Sequence, residues 1–173
     1  MRAYQGGDMA AFETIYRRHK DPLWRYLLRG CEDREAVAEM FQDVWTGLVR
    51  GRDGWQPRAK FTTWLYTLAH HRLVDHYRLR RLSTAAIEEA ETVAAPEHLE
   101  PDADAGNAQL RRRLAQVLAQ LPLEQREAFL LKEEGGLSLE EIGAVTGVGR
   151  ETVKSRLRYA LVKLRQELSD VWP

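Results

Sequence analysis

The feature that most constrains this fold is a long segment without any lysine or arginine. Residues 83–108 contain seven aspartates and glutamates, the two prolines Pro96 and Pro101, and no aromatic residue. A segment with so few large apolar side chains cannot bury enough surface to offset the conformational entropy that ordering would cost. The sequence therefore predicts an acidic, flexible linker between two small domains, at residues 1–82 and 109–173.

Charge is distributed unevenly along the chain. The whole chain carries 26 lysines and arginines and 26 aspartates and glutamates. Residues 1–82 nevertheless hold 15 basic against 10 acidic side chains, and residues 109–173 hold 11 against 9. Two basic domains around an acidic linker favour a nucleic-acid partner, although the formal net charge is zero.

The sequence also bears on the compartment. No apolar run approaches the roughly 18 residues that a membrane span needs, and no signal peptide follows Met1. Cys31 is the only cysteine, which excludes an intrachain disulfide and fits a reducing environment. We expect a cytoplasmic protein without membrane insertion, in which Cys31 is a tolerated thiol.

Apolar side chains recur at helical spacing in both domains, and no strand pattern is visible. In the first domain, Asp8 suits an N-cap, and Asp21 followed by Pro22 is expected to begin a new helix. Further helices are expected over residues 33–50 and 61–82. The apolar stripe of the 33–50 helix comprises Val37, Met40, Phe41, Val44, Trp45 and Leu48. The sequence therefore predicts an all-α protein.

The second domain contains the pattern of a helix-turn-helix. Ser138 begins a short helix with Glu141 three residues later, the arrangement of a capping box. A glycine-containing turn at residues 146–149 then leads to a basic helix expected over residues 150–168. A helix of this kind fits the DNA major groove while the shorter helix braces it.

The two sides of the 150–168 helix have different expected roles. The side expected to pack inward comprises Val153, Leu157, Ala160, Leu161 and Leu164. The residues expected to contact DNA are Arg150, Glu151, Thr152, Lys154, Ser155, Arg156, Arg158 and Tyr159. A basic helix alone is more typical of a solvated surface, but the capped helix and the turn before it favour DNA contact.

Aromatic and basic side chains gather along residues 55–81. Rings that stack on bases and cations that meet phosphates suit single-stranded DNA, although Trp64 also suits a buried core. A metal site formed by His71, Asp75 and His76 is the alternative interpretation. No second carboxylate or cysteine cluster accompanies these three residues, which disfavours the metal site.

The C-terminal residues resemble a known family. Leu121-Pro122, the string LSLEEIGAVTGV at residues 137–148 and the string ETVKSRLRYALVKLR at residues 151–165 are similar to the C-terminal domain of the sigma-70 family. This resemblance implies that the domain recognises the −35 promoter element.

The string KFTTWLYTLAHHRLVDHYRLRR at residues 60–81 resembles the segment of that family that recognises and melts the −10 element. His71 stands where the family often has asparagine, which implies a different reader for the −10 base. Residues 54–63 would form the loop that pockets an extruded base. The implied −10 contacts are Trp55, Lys60, Phe61, Trp64, His70, His71, Arg72, Arg78, Arg80 and Arg81.

The predicted 33–50 helix resembles the polymerase-binding segment of the same family. The matching residues are Glu39, Phe41, Val44 and Trp45, whereas Ala38 replaces a glutamine and Asp43 a residue that is often basic. The implied polymerase contacts are Asp33, Glu35, Glu39, Phe41, Asp43 and Trp45.

Together these segments identify the chain as resembling a two-domain, extracytoplasmic-function (ECF) sigma factor. The resemblance implies a non-enzymatic protein without cofactors that binds core RNA polymerase and promoter DNA and is held silent by an anti-sigma protein. On residues alone two rivals stay open. One is a one-component helix-turn-helix regulator with a helical sensor domain, and the other is a metal-dependent enzyme that uses the histidine-rich helix.

Overall fold

The structure is a computed structural model that describes residues 1–85 and 105–169, with side chains described for residues 1–82 and 109–169. Within these ranges the chain forms eight α-helices and no strand, which confirms the expected all-α class. The helices are α1 (Arg2–Gln5), α2 (Met9–Gly30), α3 (Arg34–Arg50), α4 (Phe61–Ala85), α5 (Ala105–Ala119), α6 (Leu123–Glu133), α7 (Leu139–Thr146) and α8 (Arg150–Glu167). None of these helices is long and apolar enough to cross a bilayer.

The predicted break at Pro22 is wrong, because α2 continues through it from Met9 to Gly30. Asp8 caps the start of α2 as expected. Pro22 has no amide hydrogen and so leaves one carbonyl of the preceding turn without its helical partner. The turns that follow nevertheless stay helical, since Leu23, Tyr26 and Leu27 are fully buried. Packing of this face outweighs the local preference of Asp21-Pro22 for a new start.

Helices α2, α3 and α4 form the core of the N-terminal domain, and α1 packs on α2. The apolar stripe predicted for α3 is confirmed, with Phe41 half-buried and the other five residues buried. Asp33 caps α3 by accepting hydrogen bonds from two amides of its first turn. From α4, Leu65, Ala69 and Leu73 close the core.

The C-terminal domain consists of α5 to α8, in which α8 packs on α6, α7 and α5. The predicted capping box is present. The Ser138 hydroxyl accepts from the Glu141 amide, and the Glu141 carboxylate accepts from the Ser138 amide. Gly147 ends α7 at φ +71°, a left-handed conformation that glycine adopts without strain. The helix-turn-helix geometry therefore follows from local capping at both ends of α7.

The inward face of α8 matches the prediction at four of five positions. Val153, Leu157, Ala160 and Leu164 are buried. Leu161 is 39% exposed, so its predicted place in the core is wrong. It lies at the margin of the buried stripe, where helical spacing alone does not separate core from surface.

The predicted linker is narrower than its composition indicates. Helix α4 extends to Ala85 and α5 begins at Ala105, so residues 83–85 and 105–108 are helical. Residues 83–85 and 105–108 contain three alanines but also serine, threonine, glycine and asparagine, so helix propensity alone does not predict these extensions. The remainder of the predicted linker, residues 86–104, lies outside the described residues.

The two domains pack directly against each other. Helix α7 lies against α4, and α6 lies against α2. Buried residues of both domains belong to one hydrophobic cluster. The helix-turn-helix is therefore docked on the helix that carries the predicted −10 contacts.

Candidate DNA and polymerase interfaces

The outer face of α8 presents the predicted −35 residues. All eight lie on this helix, with Arg156 half-buried and the other seven exposed. Because the opposite face is anchored in the core, the exposed face is held in a fixed orientation by α7 and α6. A rigid basic helix of this kind can enter a major groove without reorganising.

Ion pairs connect the first turn of α8 to its neighbours. The Arg150 guanidinium lies 2.7 Å from a Glu140 oxygen and 3.0 Å from a Glu151 oxygen. Lys154 lies 3.8 Å from the other Glu151 oxygen. One turn further on, the Arg158 guanidinium lies 5.0 Å from the centroid of the Tyr159 ring. Glu151 thus has two cationic partners before any DNA binds.

The residues that precede and begin α4 form an aromatic edge. Trp55, Phe61 and Trp64 are half-buried, and Lys60 is exposed. The Phe61 and Trp64 rings meet edge to face with centroids 6.3 Å apart. On the other side of Phe61 the His19 ring lies 5.2 Å away. Half-buried rings beside an exposed cation can both support the fold and stack on a base.

The remaining predicted −10 residues lie further along α4. His71, Arg72, Arg78, Arg80 and Arg81 are exposed, which leaves them accessible to DNA. Arg72 lies 3.5 Å from Asp43 of α3, and Arg78 lies 3.0 Å from Asp75. His70 is half-buried and faces the C-terminal domain instead of solvent.

The three histidine and aspartate residues proposed for a metal do not form a cluster. Across the described ranges, no group of three or more His, Cys, Asp or Glu side chains is placed to hold a metal ion. The His76 ring nitrogen lies 3.5 Å from the Cys31 sulfur. Burial raises the pKa of the Cys31 thiol, which keeps this sulfur protonated and unreactive at neutral pH.

The predicted polymerase contacts on α3 divide into two groups. Glu35, Glu39 and Asp43 are exposed and can reach a partner. Phe41 and Trp45 belong to an aromatic cluster with Trp24, Phe12 and Tyr16, and Trp45 is only 7% exposed. Trp45 therefore packs in the core beneath α3 and offers little surface to a partner. This burial corrects its assignment as a polymerase contact.

A domain interface joins polar side chains of the N-terminal domain to three glutamates of the C-terminal domain. Its members are Arg25, Arg29, Tyr26, Lys60, Thr63, Tyr66 and His70 on one side and Glu127, Glu134 and Glu141 on the other. Glu134 has a side chain only 7% exposed. It accepts from Arg25 at 2.8 Å and also from Arg29. Its backbone carbonyl accepts from the Tyr66 hydroxyl at 3.0 Å.

Two further carboxylates extend this interface toward the predicted −10 surface. One Glu127 oxygen accepts from the Tyr26 hydroxyl at 3.0 Å and lies 2.5 Å from His70 Nδ1. One Glu141 oxygen lies 3.1 Å from the Lys60 ammonium and 3.3 Å from the Thr63 hydroxyl. Two predicted −10 residues are therefore bound by carboxylates of the other domain.

Protonation in this interface follows from its hydrogen bonds. The Ser138 amide, which donates to Glu141, lowers the pKa of that carboxyl, and Lys60 lowers it further against the opposing effect of burial. Burial raises the pKa of Tyr26 well above its usual value, and Glu127 raises it further. Glu141 is thus anionic, and Tyr26 remains a hydroxyl donor, over the whole neutral range.

Comparison with known proteins decides the family. Residues 15–82 match the model of sigma-70 region 2, and residues 111–164 match that of sigma-70 region 4. The RNA polymerase sigma factor CarQ of Myxococcus xanthus is 30% identical over 99% of this chain and 97% of that protein. The chain belongs to the sigma-70 family. The ECF RNA polymerase sigma factor SigL of Mycobacterium tuberculosis is 32% identical over 95% of this chain and 92% of that protein. This sigma factor is accordingly of the ECF type.

The fold of this sigma factor is also found in solved structures. The sigma factor RpoE in complex with the anti-sigma factor NepR from Bartonella quintana matches with a TM-score of 0.77. Identity to that chain is 20%, over 94% of this sigma factor and 99% of the solved chain. The resemblance stated from sequence motifs is therefore confirmed at the level of family and fold, and it favours an alternative sigma factor over a regulator with a sensor domain.

No sequence pattern of this sigma factor predicts the domain interface. Glu127 lies on α6 and Glu134 directly follows the last residue of that helix, and both are ordinary surface acids by composition. Gln5, which binds the loop between α3 and α4, also belongs to no recognisable sequence motif. The spacing of Ser138 and Glu141 predicts the capping box. It gives no indication that Glu141 also contacts Lys60.

Proposed function

We propose that this alternative sigma factor binds core RNA polymerase through the exposed acids of α3 and recognises two promoter elements with its two domains. In this proposal α8 reads the −35 element, and residues 54–63 with α4 read and open the −10 element. The observation that carries the proposal is the fixed, exposed basic face of α8, held by a doubly capped α7. The matches of this chain to sigma-70 regions 2 and 4 support the proposal.

The −10 assignment is supported by the aromatic edge at the start of α4. Phe61 and Trp64 are half-buried rings in edge-to-face contact, and the exposed Lys60 directly precedes Phe61 in the chain. Bases that leave the duplex need such stacking partners, since stacking contributes about 1–3 kcal/mol per base. The cations further along α4 are exposed, so they can meet the phosphates of the strand.

The polymerase assignment is supported by the acidic outer side of α3. Glu35, Glu39 and Asp43 are exposed along one helix whose other side is locked in the core. An acidic, rigid helix suits a basic partner surface, because complementary charge accelerates and orients association. Asp33 contributes as the cap that starts this helix.

Use of both promoter elements requires the domains to separate. The −10 and −35 elements are about 25 base pairs apart, roughly 85 Å along B-DNA at about 3.4 Å per pair. A domain of 65 to 82 residues has a radius of gyration of only about 11 Å, so docked domains cannot reach both elements together. The compact arrangement is therefore a resting form, in which Lys60 contacts the carboxylate of Glu141 and His70 contacts that of Glu127.

Three further parts of the proposal follow from the family. The acidic linker, most of which lies outside the described residues, would thread a basic channel of the polymerase, where its charge imitates a phosphate backbone. A protein inhibitor of the anti-sigma class would bind the compact form, since the solved RpoE is bound to NepR. The chain would act in the cytoplasm as a positioning factor without chemistry or cofactors of its own.

Reconstitution with core RNA polymerase tests the proposal directly. Purified chain and core enzyme are incubated with fragmented genomic DNA, and the 5′ ends of the transcripts are sequenced. We expect initiation at sites that share a −10 and a −35 sequence and that core enzyme alone does not use. Transcripts with the same 5′ ends in the presence and absence of the chain would refute the proposal.

A further inference from the structure

The first residues of the chain hold the loop that joins α3 to α4. The side-chain amide of Gln5 donates one hydrogen bond to the carbonyl of Arg52 and another to the carbonyl of Trp55, both at 2.8 Å. These bonds connect residues 47 and 50 positions apart. The single turn of α1 is therefore a long-range partner of the 51–60 loop.

The two carbonyls bracket a tight turn. The Trp55 amide also donates to the Arg52 carbonyl, at 3.3 Å, so Gln5 and Trp55 share this acceptor. The neighbouring Tyr4 is 2% exposed, and the Arg52 guanidinium lies 5.4 Å from the centroid of its ring. Helix α1 thus contacts both the backbone of this turn and the side chain of Arg52.

The start of the loop is fixed from the opposite side. A Cβ added to Gly51 would lie 3.0 Å from Cζ2 of the Trp64 indole and 3.1 Å from the Gly47 carbonyl oxygen. The backbone therefore lies directly against Trp64, at a distance that leaves little room for a larger residue than glycine. The loop is therefore held by Gln5 on one side and by Trp64 on the other. It lies on the surface proposed to bind the −10 strand.

We propose that Gln5 is a positioning residue that determines which −10 base the loop accepts, without touching DNA itself. The inference rests on the proposed function, in which residues 54–63 pocket an extruded base. Extrusion costs free energy that a tight pocket must return, and a preformed loop loses less entropy on binding. A turn fixed by Gln5 keeps its shape for the correct base and excludes others, whereas a released turn adapts to all four.

The test compares two matched substitutions in full-length protein. Gln5→Met keeps the length of the side chain and removes both amide hydrogens. Gln116→Met makes the same chemical change on the exposed side of α5, in the other domain. Each protein is assembled with core RNA polymerase and titrated with four fluorescent single-stranded −10 oligonucleotides that differ only at the extruded base. Hydrogen exchange of the Trp55 amide is measured on the same free proteins.

We expect Gln5→Met to reduce the affinity ratio between the preferred base and the others by about tenfold, the effect of losing two ordinary hydrogen bonds. Its binding to −35 duplex should be unchanged, exchange at Trp55 should accelerate, and Gln116→Met should behave as the wild type. Unchanged base discrimination in Gln5→Met overturns the proposal. An equal loss for all four oligonucleotides also overturns it, because a merely weakened fold gives that result.

Failure of the proposed function would look different. In that case the wild-type holoenzyme itself would bind the four oligonucleotides equally, and the specificity role of Gln5 would fall with the −10 assignment. A wild type that discriminates, together with a Gln5→Met variant that discriminates as well, refutes the role of Gln5 alone.

Discussion

The carboxylate of Glu141 lies 3.1 Å from the ammonium of Lys60. The same carboxylate closes the capping box of α7 by accepting from the Ser138 amide at 2.8 Å. One side chain therefore links the start of the helix-turn-helix to a residue proposed to bind the −10 strand. A change in its charge should act on both the local helix and the domain interface.

Acidification should weaken the fold through Glu141. Its folded-state pKa lies below the ordinary value of 4.5, mainly because the Ser138 amide donates to the carboxylate. The stabilising contribution is therefore complete above about pH 4.5 and is lost as the pH falls through the lower folded value. Unfolding by urea, measured from pH 7 down to pH 3, should show a smaller acid-induced loss of stability in Glu141→Gln than in wild type. Glu124→Gln, an exposed change on α6, is the control, and identical pH profiles for all three proteins would contradict the prediction.

The second prediction concerns the adjacent residues Glu133 and Glu134. Glu134→Ala removes the partner of Arg25 and Arg29 and should cost about 1–3 kcal/mol in unfolding free energy, as expected for hydrogen bonds to charged groups. It should also increase the radius of gyration in small-angle scattering, because the domains dock less firmly. Glu133→Ala, exposed one position earlier, should do neither. Equal scattering curves for the two variants would show that Glu134 does not hold the domains together.

The contrast between these neighbours shows what sequence can and cannot predict. Helical spacing located the core of α3, and the Ser138-to-Glu141 spacing located the capped helix, because both depend on residues close in the chain. The two arginine partners of the Glu134 carboxylate are more than 100 positions away, and no periodic pattern relates α6 to α2. Continuation of α2 through Pro22 had the same cause, since burial of Tyr26 and its neighbours against other helices outweighed a local stop signal. Motif resemblance supplied the family, but it gave no account of how the two domains pack.

The third prediction separates two roles on α3. Reversal of Glu35, Glu39 and Asp43 to lysine should weaken binding to core RNA polymerase at least tenfold while leaving the fold intact, because exposed charge changes usually cost little stability. Reversal of Glu13, Glu124 and Glu133, which are also exposed, makes an equal change in net charge elsewhere. Fluorescence anisotropy with labelled sigma factor measures both affinities. Equal weakening by the two triple variants would indicate a general charge effect instead of a contact.

Asp33 should behave as a cap and not as a polymerase contact. Its side chain accepts from the amides of Glu35 and Ala36 at 3.0 and 3.1 Å. Asp33→Asn removes the charge and keeps a capping oxygen, so stability and polymerase affinity should both stay close to wild type. Asp33→Ala should lower the unfolding free energy by about 1 kcal/mol. A large affinity loss in the folded Asp33→Asn variant would restore the direct polymerase contact.

The last prediction distinguishes reading from anchoring on α8. Arg158 is exposed and has an aromatic neighbour in place of an acid, so its guanidinium is available for a forked pair with guanine. Arg158→Ala should relax preference at one −35 base pair, at a cost of about 1–3 kcal/mol. Lys154→Ala should instead weaken all sequences alike and reduce the salt dependence, as expected for a phosphate contact.

Glu151 is the decisive case among these side chains. Sequence alone allows it to accept from a cytosine, yet its oxygens lie 3.0 Å from Arg150 and 3.8 Å from Lys154. It must leave these partners to reach a base, whereas it stabilises the first turn of α8 without moving. Binding of Glu151→Ala and Glu151→Gln to a library of −35 duplexes, at two salt concentrations, separates the two roles. If Glu151 reads a base, alanine relaxes one position of the library while glutamine shifts its preference. If it acts only at the helix start, both variants lower the melting temperature and keep the base preferences of the wild type, and the reading role is refuted.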